Sequence, residues 1–272
     1  MGSPRVGFQG ERGAYSEEAT RALFGPGVEA VPCPSFRAVF EAVASGRVDG
    51  GAVPVENSLA GSVIENVDLL MEFSLPITGE LSLRIRHCLL APAGVELTDI
   101  RRVVSHPQAL AQCAGFLRQH GFAAVADADT AGSAKRLAEQ KPPHTAAIAS
   151  RTAAELYGLN VLLEGVADSP NNLTRFVSLS AVPVLSGSRS KTSVMFTLEN
   201  SPGSLQKVLG VFSERGLNVI RLEPRPLRKP WEYVFCLDLE GSREEPRVGE
   251  ALDSAAGLCA SFRVLGSYRV AD

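Results

Sequence analysis

Thr174 and Arg175 open a short apolar strand, Phe176–Ser180, behind the turn formers Ser169, Pro170, Asn171 and Asn172. A threonine hydroxyl can donate a proton, and the guanidinium beside it can grip a carboxylate with two parallel hydrogen bonds. The pair suits a reaction in which a carboxylate-bearing substrate loses a hydroxyl group. Taken alone, the triplet Thr174-Arg175-Phe176 is more simply a polar strand start on the surface. Alternation along a strand puts Thr174 and Phe176 on one face and Arg175 on the other, so Arg175 shares their pocket only if the strand begins at or after it.

Other polar residues stand where strands give way to helices. Asn57 and Ser58 end the strand-like run Val53-Pro-Val-Glu56, the place where α/β sheets put ligands, although they could equally cap the next helix. Glu56 is awkward beside an anion and reads as structural. Ser105 and Gln108 flank a strand end and a helix start, a ready anion site, while the lone His106 between them reads as structural. Thr130 either caps the next helix or binds a carboxylate. Gly7, Gly10 and Gly13 have the wrong spacing for a dinucleotide fingerprint and read as a tight turn.

These candidates need an α/β scaffold, and the chain supplies its pattern. Its 272 residues, 45% hydrophobic and 21% charged, fit a soluble protein of one large or two ordinary domains. A net charge of −3 gives no reason to expect nucleic acid or an anionic membrane as partner. No apolar run reaches the ~20 residues of a membrane span, and Val6-Gly-Phe8 follows Met1 too soon for a leader peptide. The five cysteines are scattered, with no zinc-like spacing among them or the four histidines. They are expected as buried thiols in a reducing cytoplasm, with no metal bound.

Strand and helix signals alternate through residue 180. Strands are expected at Val6–Gln9, Gly51–Val55, Leu81–Leu90, Val103-Val104, Ala123–Ala126 and Ala146–Ala149. Helices should run from Ser16 as N-cap to Gly25, from Ser35 as N-cap to Gly46, along Val63–Met71, and over Pro107–His120 and Ala131–Gln140. Such alternation argues a mostly parallel sheet with helices packed on it. The long strand Leu81–Leu90 breaks the rhythm and reads as a crossing between two α/β lobes, with the chain returning near Phe176–Val182. After the polar stretch Pro183–Ser190 the pattern changes to βαββαβ. Its parts are a strand at Thr192–Leu198, a helix from Ser201-Pro202 to Gly216, strands at Val219–Glu223 and Tyr233–Leu239, a helix near Val248–Ala256, and a strand near Phe262–Tyr268. That order is ferredoxin-like.

Six segments occur in sequence around these elements: Val53-Pro-Val-Glu-Asn-Ser58, Ser105-His-Pro-Gln108, Asp129-Thr-Ala-Gly-Ser-Ala-Lys135, Ala146-Ala-Ile-Ala-Ser150, Glu199-Asn-Ser-Pro-Gly-Ser-Leu205 and Leu222-Glu-Pro-Arg-Pro226. With the Thr174 triplet, they resemble prephenate dehydratase followed by an ACT regulatory domain, from about Val6 to Tyr268. The resemblance implies a two-lobed, periplasmic-binding-protein-like (type II) catalytic domain over 1–182, with lobe 1 at about 1–80 and 176–182 and lobe 2 at about 81–175. A linker at 183–190 and an α+β ACT domain at 191–272 would follow.

The implied reaction takes carbon dioxide and hydroxide from prephenate to give phenylpyruvate, with no cofactor. Thr174 matches the family's proton donor to the leaving hydroxyl. Asn57, Ser58, Ser105, Gln108, Thr130, Arg175 and Phe176 are implied as substrate ligands. L-phenylalanine is the implied effector, buried between ACT copies of a homodimer or homotetramer. Its contacts would be Asn200, Gly203, Ser204, Leu205, Leu217, Asn218, Glu223 and Arg225. Ser204 and Pro224 depart from the family's Gly-Ala-Leu and Glu-Ser-Arg-Pro segments, which bears on effector choice. Gly13-Ala-Tyr-Ser16, Arg86-His-Cys-Leu-Leu90 and Ala109-Leu-Ala-Gln-Cys113 look as much like arogenate dehydratase, which makes phenylalanine directly. A solute receptor or a non-catalytic amino-acid sensor is the alternative of another class.

Overall fold

The structure is a computed structural model and describes residues 2–180, 189–227 and 231–271. β1 (Arg5–Gln9) buries Val6, Gly7 and Phe8 and turns through Gly10 and Gly13, both with positive φ, into α1 (Tyr15–Phe24). The helix begins one residue before Ser16, on an Ala14 cap with no side-chain hydrogen bond. β2 (Glu29–Cys33) leads to α2 (Phe36–Ala44), where Ser35 Oγ accepts from Ala38 N as expected of an N-cap. β3 (Gly50–Asn57) is almost wholly buried and bends back through the short β4 (Gly61–Ser62) before α3 (Ile64–Glu72) and β5 (Ile77–Arg84).

The single strand expected over Leu81–Leu90 is two, because the chain changes sheets at Ile85–His87 before β6 (Cys88–Ala91). β7 (Arg102–Ser105) runs into α4 (Pro107–Gln112), which breaks at Cys113 before α5 (Ala114–His120), so the expected helix is also two. β8 (Ala123–Ala126), α6 (Thr130–Gln140), β9 (Thr145–Ala149), α7 (Arg151–Tyr157) and β10 (Asn160–Glu164) complete the second lobe. The chain returns through a loop to β11 (Leu173–Ser180). There Ile85 N donates to Asn172 O at 2.8 Å, tying the two crossings together.

Of the expected linker, residues 183–188 lie outside the described residues, and Arg189 and Ser190 already belong to β12 (Arg189–Thr197). α8 (Ser204–Glu214) starts on Gly203, whose φ of 81° suits glycine; Ser201-Pro202 form only the approach to it. β13 (Val219–Pro226), β14 (Tyr233–Glu240), α9 (Pro246–Ala256) and β15 (Ser261–Ala271) finish the βαββαβ unit.

Among the described residues two sheets form. The smaller has the order β10-β6-β9-β7-β8, and the larger β13-β14-β12-β15-β5-β11-β3-β1-β2. β5 and β11 therefore belong to the first lobe over their whole lengths, which moves the lobe boundaries from about 80 and 176 to about 85 and 172. The regulatory strands join the same sheet through the parallel pair β15–β5, with Arg269 opposite Gly79 and Val270 opposite Glu80. One core cluster follows from this join: Val53, Leu70, Ile77 and Val177 pack with Met195, Cys236, Leu265 and Tyr268. A two-lobed periplasmic-binding-protein-like domain is thus fused to a ferredoxin-like domain by both hydrogen bonds and apolar contact.

Candidate active site

A cavity of about 300 Å³ lies between the lobes. The first lobe lines it with Gln9, Tyr15, Ser16, Asn57, Thr174 and Phe176, and the second with His106, Gln108, Gln112, Asp129 and Thr130. Most of these follow the carboxyl ends of strands that pair in parallel, β1 and β3 in one sheet and β7 and β8 in the other, where α/β folds place ligands.

Thr174, 8% exposed, faces Asn57 across the β11–β3 ladder. Asn57 Nδ2 donates to Thr174 Oγ1 at 2.9 Å and to Asn172 Oδ1 at 2.7 Å, while its Oδ1 accepts from Leu59 N and Ala60 N. Asn57 thus turns the chain with one end of its amide and orients the threonine with the other. Because Thr174 Oγ1 receives that hydrogen bond, its own proton is available to a group in the cavity.

The network continues across the floor of the cleft. Asn172 Nδ2 donates to Gln112 Oε1 at 2.9 Å, and His87 Nε2 lies 3.0 Å from the same oxygen. The amide oxygen only accepts, so Nε2 carries the proton. Burial lowers the His87 pKa against the raising effect of the Gln112 hydrogen bond, which favours the neutral ring. Its bare Nδ1 is 3.2 Å from the Tyr15 hydroxyl, whose single proton is shared between that nitrogen and Arg86 O at 2.9 Å. Burial, then Glu18, raises the pKa of Tyr15 and keeps it protonated. Six side chains from both lobes are linked in this way, ending at Thr174.

Several expected ligands sit elsewhere. Arg175 points to the opposite face, because β11 already begins at Leu173 and side chains alternate along it. There it pairs with Asp238 at 2.7 Å, Glu56 at 3.1 Å and Glu80 at 3.3 Å. Ser105 is fully buried and donates to Ile148 O at 2.6 Å within the second sheet. Ser58 is outside the cavity lining; its Oγ donates to Asn171 O and accepts from Leu173 N, bracing the loop before Thr174. The helix caps are also reassigned. Asp129, not Thr130, caps α6 through Gly132 N, and His106 caps α4 through Gln108 N.

The lining side chains include no lysine or arginine among the described residues. An anionic ligand would rest on neutral donors and on the start of α1, whose first N–H groups have no intrahelical acceptor and carry the positive end of the helix dipole.

The family model described as Prephenate dehydratase matches residues 6–183, and that described as ACT domain matches residues 192–257. The chain belongs to the prephenate dehydratase family. Arogenate dehydratase/prephenate dehydratase 2, chloroplastic, of Arabidopsis thaliana is 45% identical over 98% of the chain and 73% of its own length. Arogenate dehydratase 2 of Petunia hybrida is 44% identical over 97% and 71%. Among solved structures, prephenate dehydratase from Arthrobacter aurescens in complex with L-Phe superposes with a TM-score of 0.88 at 35% identity, covering 97% of this chain and 89% of that one. A protein described as GqqA, a novel type of quorum quenching acylases, reaches the same TM-score at 37% identity and covers 98% of each chain.

The regulatory part of this dehydratase does not gather its expected effector contacts within one chain. Ser204 lines a groove with Lys207 and Cys259, while Leu217 and Asn218 line another with Leu209 and Leu222. Asn200 is exposed, Gly203 caps α8, and Leu205 packs on the ACT core. Glu223 and Arg225 instead meet the catalytic lobe, through Ser62 Oγ at 2.6 Å and Asp68 at 2.9 Å. Pro224 is tolerated because β13 is an edge strand, where a missing N–H breaks no ladder on the open side.

Tyr15, Ser16, His87 and Gln112 also line the cavity, and nothing in their local spacing marks them as ligands. They lie inside the segments Gly13–Ser16, Arg86–Leu90 and Ala109–Cys113, whose likeness to arogenate dehydratase is the one signal the sequence offers for them. Asn172 read as a turn former because its partner Asn57 is 115 positions away.

Proposed function

We propose that this dehydratase converts prephenate to phenylpyruvate and that phenylalanine feeds back through the ACT domain. The observation that carries the reading is the Thr174 hydroxyl, buried at the cleft and oriented by Asn57 with its proton free to donate. In the reaction the bond from ring to carboxylate breaks, its electron pair completes the aromatic ring, and the ring's C–O bond breaks. The departing oxygen must gain a proton to leave as water. A threonine hydroxyl is too weak an acid to surrender its proton early. Thr174 therefore acts mainly by a hydrogen bond that strengthens as charge develops on the leaving oxygen.

The substrate's two carboxylates would be held by the start of α1 and by the donors Gln9, Gln108 and Thr130, with Phe176 as an apolar wall for the ring. Neutral donors suffice to orient a dianion, and the chemistry needs no oxidant and no cofactor because aromatisation drives it. The second reading is arogenate as substrate, favoured by the plant relatives' names. It differs only in an ammonium group where prephenate has a ketone, and Asp129 is the carboxylate on the cavity wall that such a group could meet. An L-Phe complex of a 35% identical relative supports phenylalanine as effector. The separation of Ser204 from Leu217 and Asn218 supports a site completed by a second copy, hence a homodimer or homotetramer. Four buried free cysteines suit a reducing compartment such as the cytoplasm. No helix among the described residues is long and apolar enough to cross a membrane.

Purified full-length protein given prephenate or arogenate in separate assays tests the reading, with phenylpyruvate and phenylalanine followed as products. Phenylpyruvate formed with the higher kcat/KM supports prephenate, and the reverse order selects the second reading. Tight binding of either compound without product would leave a sensor and overturn both.

A further inference from the structure

The strand pair that presents the reacting side chains has a second face. Thr174 pairs with Asn57 in the β11–β3 ladder and both face the cleft; the next pair, Arg175 with Glu56, faces away from it. On that far face Arg175 Nη2 is 3.1 Å from Glu56, and Nη1 reaches Glu80 on β5 and Asp238 on β14. Asp238 accepts from Ser193 Oγ at 2.6 Å, and Ser193 meets the Tyr268 hydroxyl at 2.7 Å. Tyr268 donates to Glu80 at 3.2 Å, and Lys191 Nζ lies 2.5 Å from the other oxygen of Glu80. Ser193, Lys191, Asp238 and Tyr268 belong to the regulatory strands. Asp238 is 4% exposed, Glu80 3% and Lys191 8%, so the cluster is buried on its ACT side, while Glu56 stands at its open edge.

We propose that Arg175 is a positioning residue: from the far face it clamps the Thr174–Asn57 ladder to the ACT sheet, so that displacement of β14 or β15 changes the aim of the Thr174 hydroxyl. The proposal rests on the dehydratase reading for its catalytic consequence but not for the clamp itself. Four features carry it. Among the described residues the guanidinium is the one side-chain group that pairs with carboxylates of β3, β5 and β14 together, and it is adjacent in sequence to Thr174. Its planar fork can serve several carboxylates at once, which an ammonium cannot. Taking Asp238 away removes the nearest buried counter-charge and leaves the guanidinium to share Glu80 with Lys191, so the cluster resists gradual distortion and favours discrete arrangements. Its anchors lie on strands of the domain expected to bind the effector, giving a continuous covalent and hydrogen-bonded route of one residue's length from that sheet to the reacting group.

The test uses the full-length chain with Arg175→Lys, Asp238→Asn and the mild Tyr268→Phe, alongside Leu252→Ala as an ACT core truncation remote from the clamp. Hydrogen exchange in peptides spanning 173–180 and 50–57 is measured without substrate, and kcat, KM and phenylalanine inhibition are measured with whichever substrate the wild type takes. The clamp predicts faster exchange in both segments for Asp238→Asn. It also predicts kcat lower by about tenfold or more, since a misaimed reacting group is costly, with KM within about twofold because Arg175 does not touch the cleft. Phenylalanine would still bind the Asp238→Asn chain but inhibit it less. Leu252→Ala should lower Tm without these effects below its unfolding range. If Arg175→Lys does not fold, Asp238→Asn and Tyr268→Phe carry the same comparison. Wild-type exchange in both segments with wild-type kcat in the folded variants would overturn the clamp. A wild type inactive on both substrates would overturn the dehydratase reading, and the exchange data would still decide the clamp.

Discussion

At the scale of the residue, the central feature is a threonine whose oxygen is occupied and whose proton is not. Asn57→Asp replaces the donor with an acceptor that would draw the Thr174 proton away from the cleft. Its kcat should fall on the order of 10²-fold with a smaller change in KM, as expected for an interaction made mainly in the transition state; a kcat within twofold of wild type would remove Asn57 from that role. His87 supplies a pH signature. Burial lowers its folded-state pKa, so the unfolded chain takes the proton first. Its contribution to stability is complete above the ordinary histidine value of about 6.5 and is lost as pH falls below it. Asp238 adds to the same trend from further down. Burial raises its pKa but the Arg175 charge and the Ser193 hydrogen bond outweigh that, so its net shift is downward and its contribution is lost only as pH falls into the carboxylate range. Thermal scans of wild type and His87→Gln from pH 8 to 5 should therefore converge as the pH drops; parallel curves would contradict a buried neutral imidazole. That Thr174, Asn57, Gln108, Thr130 and Phe176 would meet at one cavity wall was legible, because local spacing and resemblance place them at element ends. Arg175 was not, because its role depends on which residue starts β11.

At the scale of the element, two close approaches fix the geometry. Gly13, with φ of 85°, lies where an added Cβ would come 2.8 Å from the Cα of Ala153 on α7, and Ser150 Oγ donates to Gly13 O at 2.6 Å. This is a seam between the lobes beside the start of α1. Gly266 on β15 is tighter, since a Cβ there would stand 2.0 Å from the carbonyl oxygen of Ile77. Gly266→Ala must push β15 off β5 and should cost about 1–3 kcal/mol or more, read as a lower Tm and weaker phenylalanine inhibition. An unchanged Tm would mean that the β15–β5 join is not formed in solution. Most strands and helices were readable from periodicity, while β2, α7 and β10 were not expected. The breaks at Ile85–His87 and Cys113 were not, because a change of sheet and a bend between short helices are set by contacts with the returning loop at 165–172.

For the whole molecule, the joining of catalytic and regulatory strands into one sheet changes what a truncation should do. The sequence shows two patterns separated by a polar stretch, which suggests independent units. The structure gives them shared hydrogen bonds, a shared core cluster and a shared ion network. Ending the chain at Ala181 would leave β5 as an open edge and Glu80 and Arg175 without Lys191 and Asp238. The truncated chain should accordingly unfold at lower temperature and self-associate through that edge. Sedimentation and thermal scans of the truncated chain check this, and a monodisperse fragment with wild-type Tm would show that the join carries little. The α/β and βαββαβ patterns were plain in the sequence because each is local. Their fusion was not, because it rests on a pairing between residues 79–81 and 269–271, nearly two hundred positions apart.

The most direct test is the steady-state rate of Thr174→Ala beside the wild type on prephenate and on arogenate, with folding verified by circular dichroism. Removing one hydroxyl that acts on the leaving oxygen should lower kcat on the order of 10²–10³-fold, about 3–4 kcal/mol of transition-state stabilisation, while KM changes by no more than about threefold. A folded Thr174→Ala enzyme that keeps half of the wild-type kcat would contradict the account.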